Sequence, residues 1–238
     1  MKKEIIGSCT LYNADCMKIM SQYPDKYFDL AITDPPYGGG YMNVTTSSPN
    51  WLKKKRSRFG GRFDKYKTER TGGTWASKYG NHIKHWDIAP EKEYFQELFR
   101  VSKYQIIWGG NYFDLPSSRN FIIWRKKTIN ENFSMAMAEY AWTNIKGNAK
   151  VFEYHPQDPK RFHPTQKPVA LYKWLLSKYA KQGDKILDTH FGSGSIAVVC
   201  NEMGFDLTAS EIDKDYFEAA CNRVREAIRQ GNLFQEVS

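Results

Sequence analysis

Short apolar runs alternate along this chain with segments in which apolar residues recur every three or four positions. The runs predict seven strands, at residues 9–12, 27–33, 104–108, 121–125, 138–143, 185–188 and 206–210. The helical spacing predicts five helices, at residues 15–22, 90–102, 168–181, 195–203 and 214–229. Strands that alternate with helices and are largely apolar predict an α/β fold around a buried, mostly parallel sheet of seven strands.

The segment that follows the second predicted strand is TDPPYGG. Proline cannot donate to a sheet ladder and pushes the preceding residue toward extended geometry, so this segment must end the strand. It leaves Asp34, Pro35, Pro36 and Tyr37 at the carboxyl end of a strand, where ligands bind in sheets of this class. The segment is therefore either a sharp turn or a functional site.

A second strand end is rich in glycine. The strand that ends at Asp188 is followed by Gly192 and Gly194 and then by a helix of small residues. Glycines let the backbone approach a ligand closely, and the start of a helix offers free N–H donors. Glu211 ends the next strand, where a carboxylate can accept hydrogen bonds from both hydroxyls of a ribose. The arrangement predicts a site for an adenosine-containing cofactor. A nicotinamide dinucleotide or a turn without a ligand also fits this spacing.

The net charge of the chain is +9, and most of it lies in one segment. Residues 41–90 hold eleven Lys and Arg residues against three acidic ones, a net +8, with eight aromatic residues interleaved. Such a segment suits a polyanion with flat faces, meaning nucleic acid, although a solvated loop would have a similar charge. We therefore predict a catalytic domain at 1–40 and 91–238. The insertion at 41–90 would be partly mobile and would contact nucleic acid through Lys53, Lys54, Lys55, Arg56, Arg58 and Arg62.

Other features of the chain exclude several classes of protein. No apolar run approaches the roughly 20 residues that a membrane span needs, and the first residues lack the apolar stretch of a secretion signal. The four cysteines and five histidines show no spacing typical of a metal site. These observations predict a cytoplasmic protein with reduced thiols, without a bound metal and without a membrane partner.

Taken together, the segments resemble the beta class of S-adenosylmethionine-dependent DNA amino methyltransferases. Four segments carry the resemblance: Asp34 to Tyr37 matches the catalytic motif, His163 to Pro168 the segment before the cofactor loop, Asp188 to Gly194 that loop, and Glu211 with Tyr216 the ribose-binding strand end. The resemblance implies a Rossmann-like methyltransferase fold with a circularly permuted motif order and a basic insertion. It also implies S-adenosylmethionine as cofactor, double-stranded DNA as substrate, a role in restriction-modification and a homodimer.

The resemblance further implies a set of cofactor-binding residues: Asp15, Cys16, Thr165, Lys167, Asp188, Phe191, Gly192, Ser193, Gly194, Glu211 and Tyr216. Asp15 and Cys16 would contact the adenine of the cofactor, and Lys167 would pair with its carboxylate. Asp15 could instead cap the helix that follows it. The family's usual Asp-Pro-Phe is replaced here by Asp188, Thr189 and His190, which leaves open whether His190 or Phe191 packs against the cofactor.

The resemblance also implies a mechanism. Asp34 and the carbonyl of Pro35 would accept hydrogen bonds from an exocyclic amino group, Pro36 would fix them, and Tyr37 would stack on a base extruded from the duplex. An aspartate at the first position of the motif favours adenine N6 over cytosine N4. The alternatives are a cytosine N4 methyltransferase, an RNA or protein methyltransferase, a nicotinamide-dependent oxidoreductase, and a DNA-binding module with a decayed catalytic core.

Overall fold

A single sheet of nine strands forms the centre of the described part of the chain. The structure is a computed structural model that describes residues 1–38, 88–131, 136–156 and 158–235. The strands are β1 Lys2–Ile6, β2 Cys9–Asn13, β3 Phe28–Thr33, β4 Ser102–Trp108, β5 Phe121–Lys126, β6 Ala138–Thr143, β7 Lys150–Tyr154, β8 Lys185–Asp188 and β9 Asp206–Glu211. The helices are α1 Cys16–Met20, α2 Lys92–Val101, α3 Val169–Tyr179, α4 Ser195–Met203 and α5 Lys214–Gln235.

The strands lie in the order β1-β2-β9-β8-β3-β4-β6-β5-β7, and five of the eight pairings are parallel. The predicted α/β fold with a mostly parallel sheet is confirmed, but the predicted number of seven strands is wrong. The two additional strands, β1 and β7, lie at the two edges of the sheet. An edge strand has a neighbour on one side only and stays partly exposed, so the sequences KKEII and KVFEY contain no apolar run by which to find them.

Helices cover both faces of the sheet. On one face, α3, α4 and α5 contribute Leu171, Ile196 and Phe217 to a buried cluster with the strands. On the other face, Met20 of α1 and Leu98 of α2 belong to a second cluster. Because both faces are covered, the central strands are mostly apolar, as is typical of a parallel sheet. None of the helices in the ranges described above is long and apolar enough to cross a membrane.

The order of the strands determines where a site can form. Strands β2, β9, β8, β3 and β4 are all parallel to one another, so their carboxyl ends meet at one edge of the sheet. Asp188, Glu211 and the TDPPY segment all come at or directly after these ends. The topology therefore brings the two sequence-predicted segments together at the edge where ligands bind in such folds.

Candidate active site

A cavity of about 680 Å³ opens at this edge of the sheet. Its volume is typical of sites for small molecules and cofactors. The structure brings most of the predicted catalytic and cofactor-binding residues into its lining: Cys16, Asp34, Pro35, Pro36, Tyr37, Thr165, Lys167, Phe191, Gly192, Ser193 and Glu211.

Four predicted cofactor-binding residues lie outside the lining. Asp15 caps α1, with its Oδ1 accepting a hydrogen bond of 2.8 Å from the backbone N–H of Met17, which is the alternative role the sequence left open. Asp188 is buried at the end of β8. Gly194 caps the start of α4 with a φ of +73°. The ring of Tyr216 packs edge-on against the ring of His163. The predicted contacts of these four residues with a cofactor stay predictions.

The TDPPY segment is tightly held. The Tyr37 hydroxyl donates to Oδ1 of Asp34 at 2.8 Å, and the Tyr37 ring stacks on Tyr112 with 4.7 Å between the ring centroids. The ring also lies against the backbone of Gly109, where an added Cβ would come within 2.1 Å of Tyr37 Cε1. Gly109 has a φ of +66°, so its conformation and the contact with the ring both favour glycine.

The other oxygen of the Asp34 carboxylate is bonded to Lys167. The Lys167 ammonium also contacts Glu139 Oε2 at 3.2 Å and lies 5.1 Å from the centroid of the Trp108 ring. Burial by itself would lower the pKa of Lys167, but the carboxylates of Asp34 and Glu139 raise it above its ordinary value. The predicted pairing of Lys167 with a cofactor carboxylate stays a prediction, since here the ammonium is held by two protein carboxylates.

Sequence reasoning missed Glu139. Its Oε1 bonds to Lys126 at 2.7 Å, so this carboxylate lies between two ammonium groups. Burial would raise its pKa, but the two lysines lower the pKa of Glu139 to about 2. A possible signal was the single acid in the otherwise apolar strand AEYAWT, because an acid in such a strand needs a partner.

Glu211, at the end of β9, holds the glycine loop through hydrogen bonds. The backbone N–H of Gly192 donates to Oε2 of Glu211 at 2.8 Å, and the N–H of Asp213 donates to Oε1 at 2.9 Å. Gly192 has a φ of +50°. Burial raises the pKa of Glu211 to about 7. This carboxylate therefore orders the loop as well as lining the cavity.

The structure gives different surroundings to the two rings of the loop. Phe191 is only 3% exposed and packs in the core, where a Cβ added to Gly194 would meet its Cζ at 3.0 Å. His190 packs edge-on to Tyr94, which also lines the cavity, with 5.4 Å between the ring centroids. Burial lowers the pKa of His190 to about 4, so it is a neutral ring at neutral pH. We infer that the His190 ring is the better placed of the two to pack against a cofactor.

The segment from His163 to Pro168 is attached to the start of α4. Ser195 Oγ donates to the Lys167 carbonyl at 2.8 Å, and Arg223 of α5 donates to the Ser193 carbonyl at 2.9 Å. The pKa of His163 is lowered to about 3, mainly by burial and to a smaller extent by the nearby cations Lys167 and Arg161. Arg223 was also missed by sequence reasoning, because a single arginine in a long polar helix has no distinguishing pattern.

The six predicted nucleic-acid contacts, Lys53 to Arg62, lie outside the described residues, as does the insertion at 41–90 apart from residues 88–90. Within the described ranges, no three His, Cys, Asp or Glu side chains are grouped as they would be around a metal ion.

Comparisons with known proteins agree with this arrangement. A family model of N6/N4 methyltransferases, described as DNA methylase, matches residues 28–222. The chain is 25% identical over 245 residues to the type II methyltransferase M2.DpnII of Streptococcus pneumoniae, a match that covers 90% of this chain and 88% of that protein.

Two solved structures share the fold. One is the M1.HpyAVI–SAM complex, with a TM-score of 0.50, 19% identity, and coverage of 90% of this chain and 99% of that one. The other is the cytosine-N4-specific PvuII DNA methyltransferase, with a TM-score of 0.52, 12% identity, and coverage of 93% and 92%. The fold, the cavity and the matched family model lead to one conclusion: this chain belongs to the N6/N4 methyltransferase family of DNA methylases.

Proposed function

We propose that this DNA methyltransferase transfers a methyl group to N6 of adenine in double-stranded DNA. One observation carries the proposal: Asp34 and Pro35 lie in the same cavity as the glycine loop and Glu211. The acceptors for an amino group and the groups suited to an adenosine-containing cofactor are thus adjacent. This juxtaposition also disfavours a nicotinamide-dependent oxidoreductase, for which the TDPPY segment would have no role.

The cofactor is S-adenosylmethionine, whose sulfonium centre supplies the methyl group. The residues present fit such a molecule. Glu211 places a carboxylate at the cavity wall where ribose hydroxyls can donate to it, and Gly192, which also lines the cavity, has no side chain to occupy that space. We propose Cys16, Thr165 and Ser193, which line the same cavity, as further contacts to the cofactor.

The chain's task is to make a weakly nucleophilic nitrogen reactive. The lone pair of an exocyclic amino group is delocalised into the ring of the base. Asp34 and the Pro35 carbonyl, by accepting its two N–H groups, favour the pyramidal nitrogen that develops in the transition state. No protein group has to form a covalent bond, so alignment of the reacting atoms supplies much of the rate.

The base must leave the duplex to reach Asp34. We propose that Tyr37 stacks on the extruded base and that the basic insertion at 41–90 contacts the DNA backbone. Adenine is favoured over cytosine because an aspartate, rather than a serine, begins the DPPY segment. The homodimer and the pairing with a restriction enzyme remain predictions from the sequence.

The experiment is to express the chain in a bacterial host that lacks adenine and cytosine methylation. Its DNA is then digested to nucleosides and examined by mass spectrometry. We expect N6-methyladenine; N4-methylcytosine in its place would overturn the choice of base. Asp34→Ala should abolish the product while leaving binding of S-adenosylmethionine largely intact by calorimetry. The control is Asp25→Ala, which removes a carboxylate that is 76% exposed.

A further inference from the structure

Four side chains of alternating charge form a connected row that begins at Lys126, outside the cavity lining, and ends at Asp34. Lys126 of β5 bonds to Glu139 of β6 at 2.7 Å, Glu139 contacts Lys167 at 3.2 Å, and Lys167 bonds to Asp34. The four groups come from four separate segments of the chain. Three of these segments are brought together by the strand order β3-β4-β6-β5, and Lys167 reaches them from the segment before α3.

The two ammonium groups of this row are buried and its two carboxylates are only partly exposed, which distinguishes it from a surface ion pair. The side chains of Lys167 and Lys126 are 2% and 8% exposed. Each ammonium also lies near an aromatic ring, Lys167 by Trp108 at 5.1 Å and Lys126 by Trp124 at 5.3 Å. A buried charge is costly unless it is paired, so each member of the row depends on its neighbours.

We propose that Lys167 is a positioning residue that holds Asp34 ionised and fixed in orientation, and that Glu139 and Lys126 in turn hold Lys167. This inference rests on the proposed role of Asp34 as the acceptor for the amino group. Lys167 engages Oδ2 and Tyr37 engages Oδ1, but a carboxylate has about four acceptor sites. Asp34 can therefore accept from a base while it remains bonded to Lys167.

The charges of the row predict in which direction the pKa of Asp34 changes when one of them is removed. Burial raises the pKa of Asp34, the Lys167 ammonium opposes this rise, and the Glu139 carboxylate adds to it. Loss of the Lys167 charge should thus raise the pKa of Asp34 further, whereas loss of the Glu139 charge should lower it. The other titratable groups that face the row are Tyr37, His163, Tyr172 and Asp188.

The test measures single-turnover methyl transfer from labelled S-adenosylmethionine to PCR-amplified bacterial DNA between pH 5 and pH 9. Activity requires ionised Asp34, so the rate falls on the acid side of the profile. We expect Lys167→Met to move that fall upward by one pH unit or more and Glu139→Gln to move it downward. Lys167→Arg, which retains the charge, should leave the fall close to its wild-type position.

Two matched controls remove charges from exposed ion pairs elsewhere. Lys103→Met breaks the pair with Asp29, and Glu153→Gln breaks the pair with Arg125. Both should leave the pH profile unchanged. A loss of stability alone would lower the active fraction at every pH and would not shift the two site variants in opposite directions.

Calorimetry with S-adenosylmethionine separates the remaining outcomes. If Lys167→Met weakens cofactor binding tenfold or more and leaves the pH profile in place, Lys167 is a cofactor ligand and the proposal is wrong. If Lys167→Met does not fold, Lys167→Gln, which keeps a polar group at this position, takes its place: an upward shift supports the proposal, and an unchanged profile overturns it. Transfer that persists in Asp34→Ala would instead refute the proposed function, whatever the lysine variants do.

Discussion

The hydroxyl of Tyr37 donates a hydrogen bond of 2.8 Å to the carboxylate of Asp34, three residues earlier in the chain. The group proposed to stack on the base and the group proposed to bind its amino nitrogen are therefore linked directly. The Tyr37 ring is held on one side by Tyr112, so its orientation is fixed before a base arrives. Such preorganisation reduces the entropy lost on binding.

We predict that the ring of Tyr37 matters more than its hydroxyl. Tyr37→Phe keeps the stacking surface and leaves Asp34 Oδ1 free, so kcat/KM for DNA should stay within about threefold of wild type. Tyr37→Ala removes the stacking, which is worth roughly 1–3 kcal/mol, and should reduce kcat/KM by about 5- to 150-fold. Tyr104→Ala on β4, which removes an exposed ring, serves as the control. Equal losses in the Phe and Ala variants would contradict the stacking role.

Glu211 should make cofactor binding depend on pH. Its carboxylate has a pKa raised to about 7 by burial, and protonation would remove an acceptor for ribose hydroxyls. Affinity for S-adenosylmethionine should therefore fall as the pH drops from 8 to 6. Glu211→Gln should bind roughly tenfold more weakly at pH 8 and should lose most of this pH dependence, since hydrogen bonds to charged groups contribute about 1.5–3 kcal/mol.

Titration calorimetry at pH 6, 7 and 8 provides the measurement for Glu211. The matched control is Glu202→Gln, an exposed acid of α4 paired with Lys173. A wild-type affinity that is flat over this range would exclude Glu211 as a titrating ligand of the cofactor.

Much of the fold could be predicted because the central strands carry an unambiguous signal. β3, β4 and β8 are largely buried, so each contains a short apolar run that ends at a recognisable turn. β1 and β7 were missed because a strand at a sheet edge needs no such run. The end of α5 at Gln235 was placed six residues too early, at 229, because Gly231 has a low helix propensity and suggests an earlier end.

In the candidate site too, some features could be predicted from the sequence and others could not. Asp34 directly follows β3, Gly192 lies in the loop after β8 and Glu211 ends β9, so their positions along the chain already placed them at one edge of the sheet. The contacts of Lys167 with Asp34 and Glu139 join residues far apart in the sequence and depend on strand order. Nothing in the local sequence indicates which acid a buried lysine will contact. The sequence alone therefore could not show whether Lys167 lies at the surface, faces a cofactor or pairs with Asp34 and Glu139.

Asp188 should make the cofactor-free protein less stable as the pH rises. Burial raises its pKa to about 7, well above the value of about 4 in an unfolded chain. The folded state therefore binds a proton more tightly, and this contribution to stability is present below pH 4 and is lost as the pH rises through 7. One such group changes the free energy of unfolding by at most about 1.4 kcal/mol per pH unit.

Asp188→Asn isolates this effect, because an amide oxygen can still accept from the His190 N–H, as Oδ1 does at 3.0 Å. Urea unfolding at pH 5 and pH 8 should show a smaller loss of stability in the variant than in the wild type. Parallel loss in both proteins would mean that Asp188 is not the titrating group.

Gly109 should be as necessary to the site as the residues that touch the base. A Cβ at this position would lie 2.1 Å from Tyr37 Cε1, and the ring is already packed against Tyr112, so the ring would have to leave its present position. Gly109→Ala should therefore displace Tyr37 and lower single-turnover methyl transfer by tenfold or more, while binding of S-adenosylmethionine changes little. Gly183→Ala is the matched control: Gly183 also has a positive φ, +90°, but a Cβ there meets nothing within 4 Å. A similar loss of activity in both variants would attribute the effect to backbone strain, and only a selective loss in Gly109→Ala supports the contact with Tyr37.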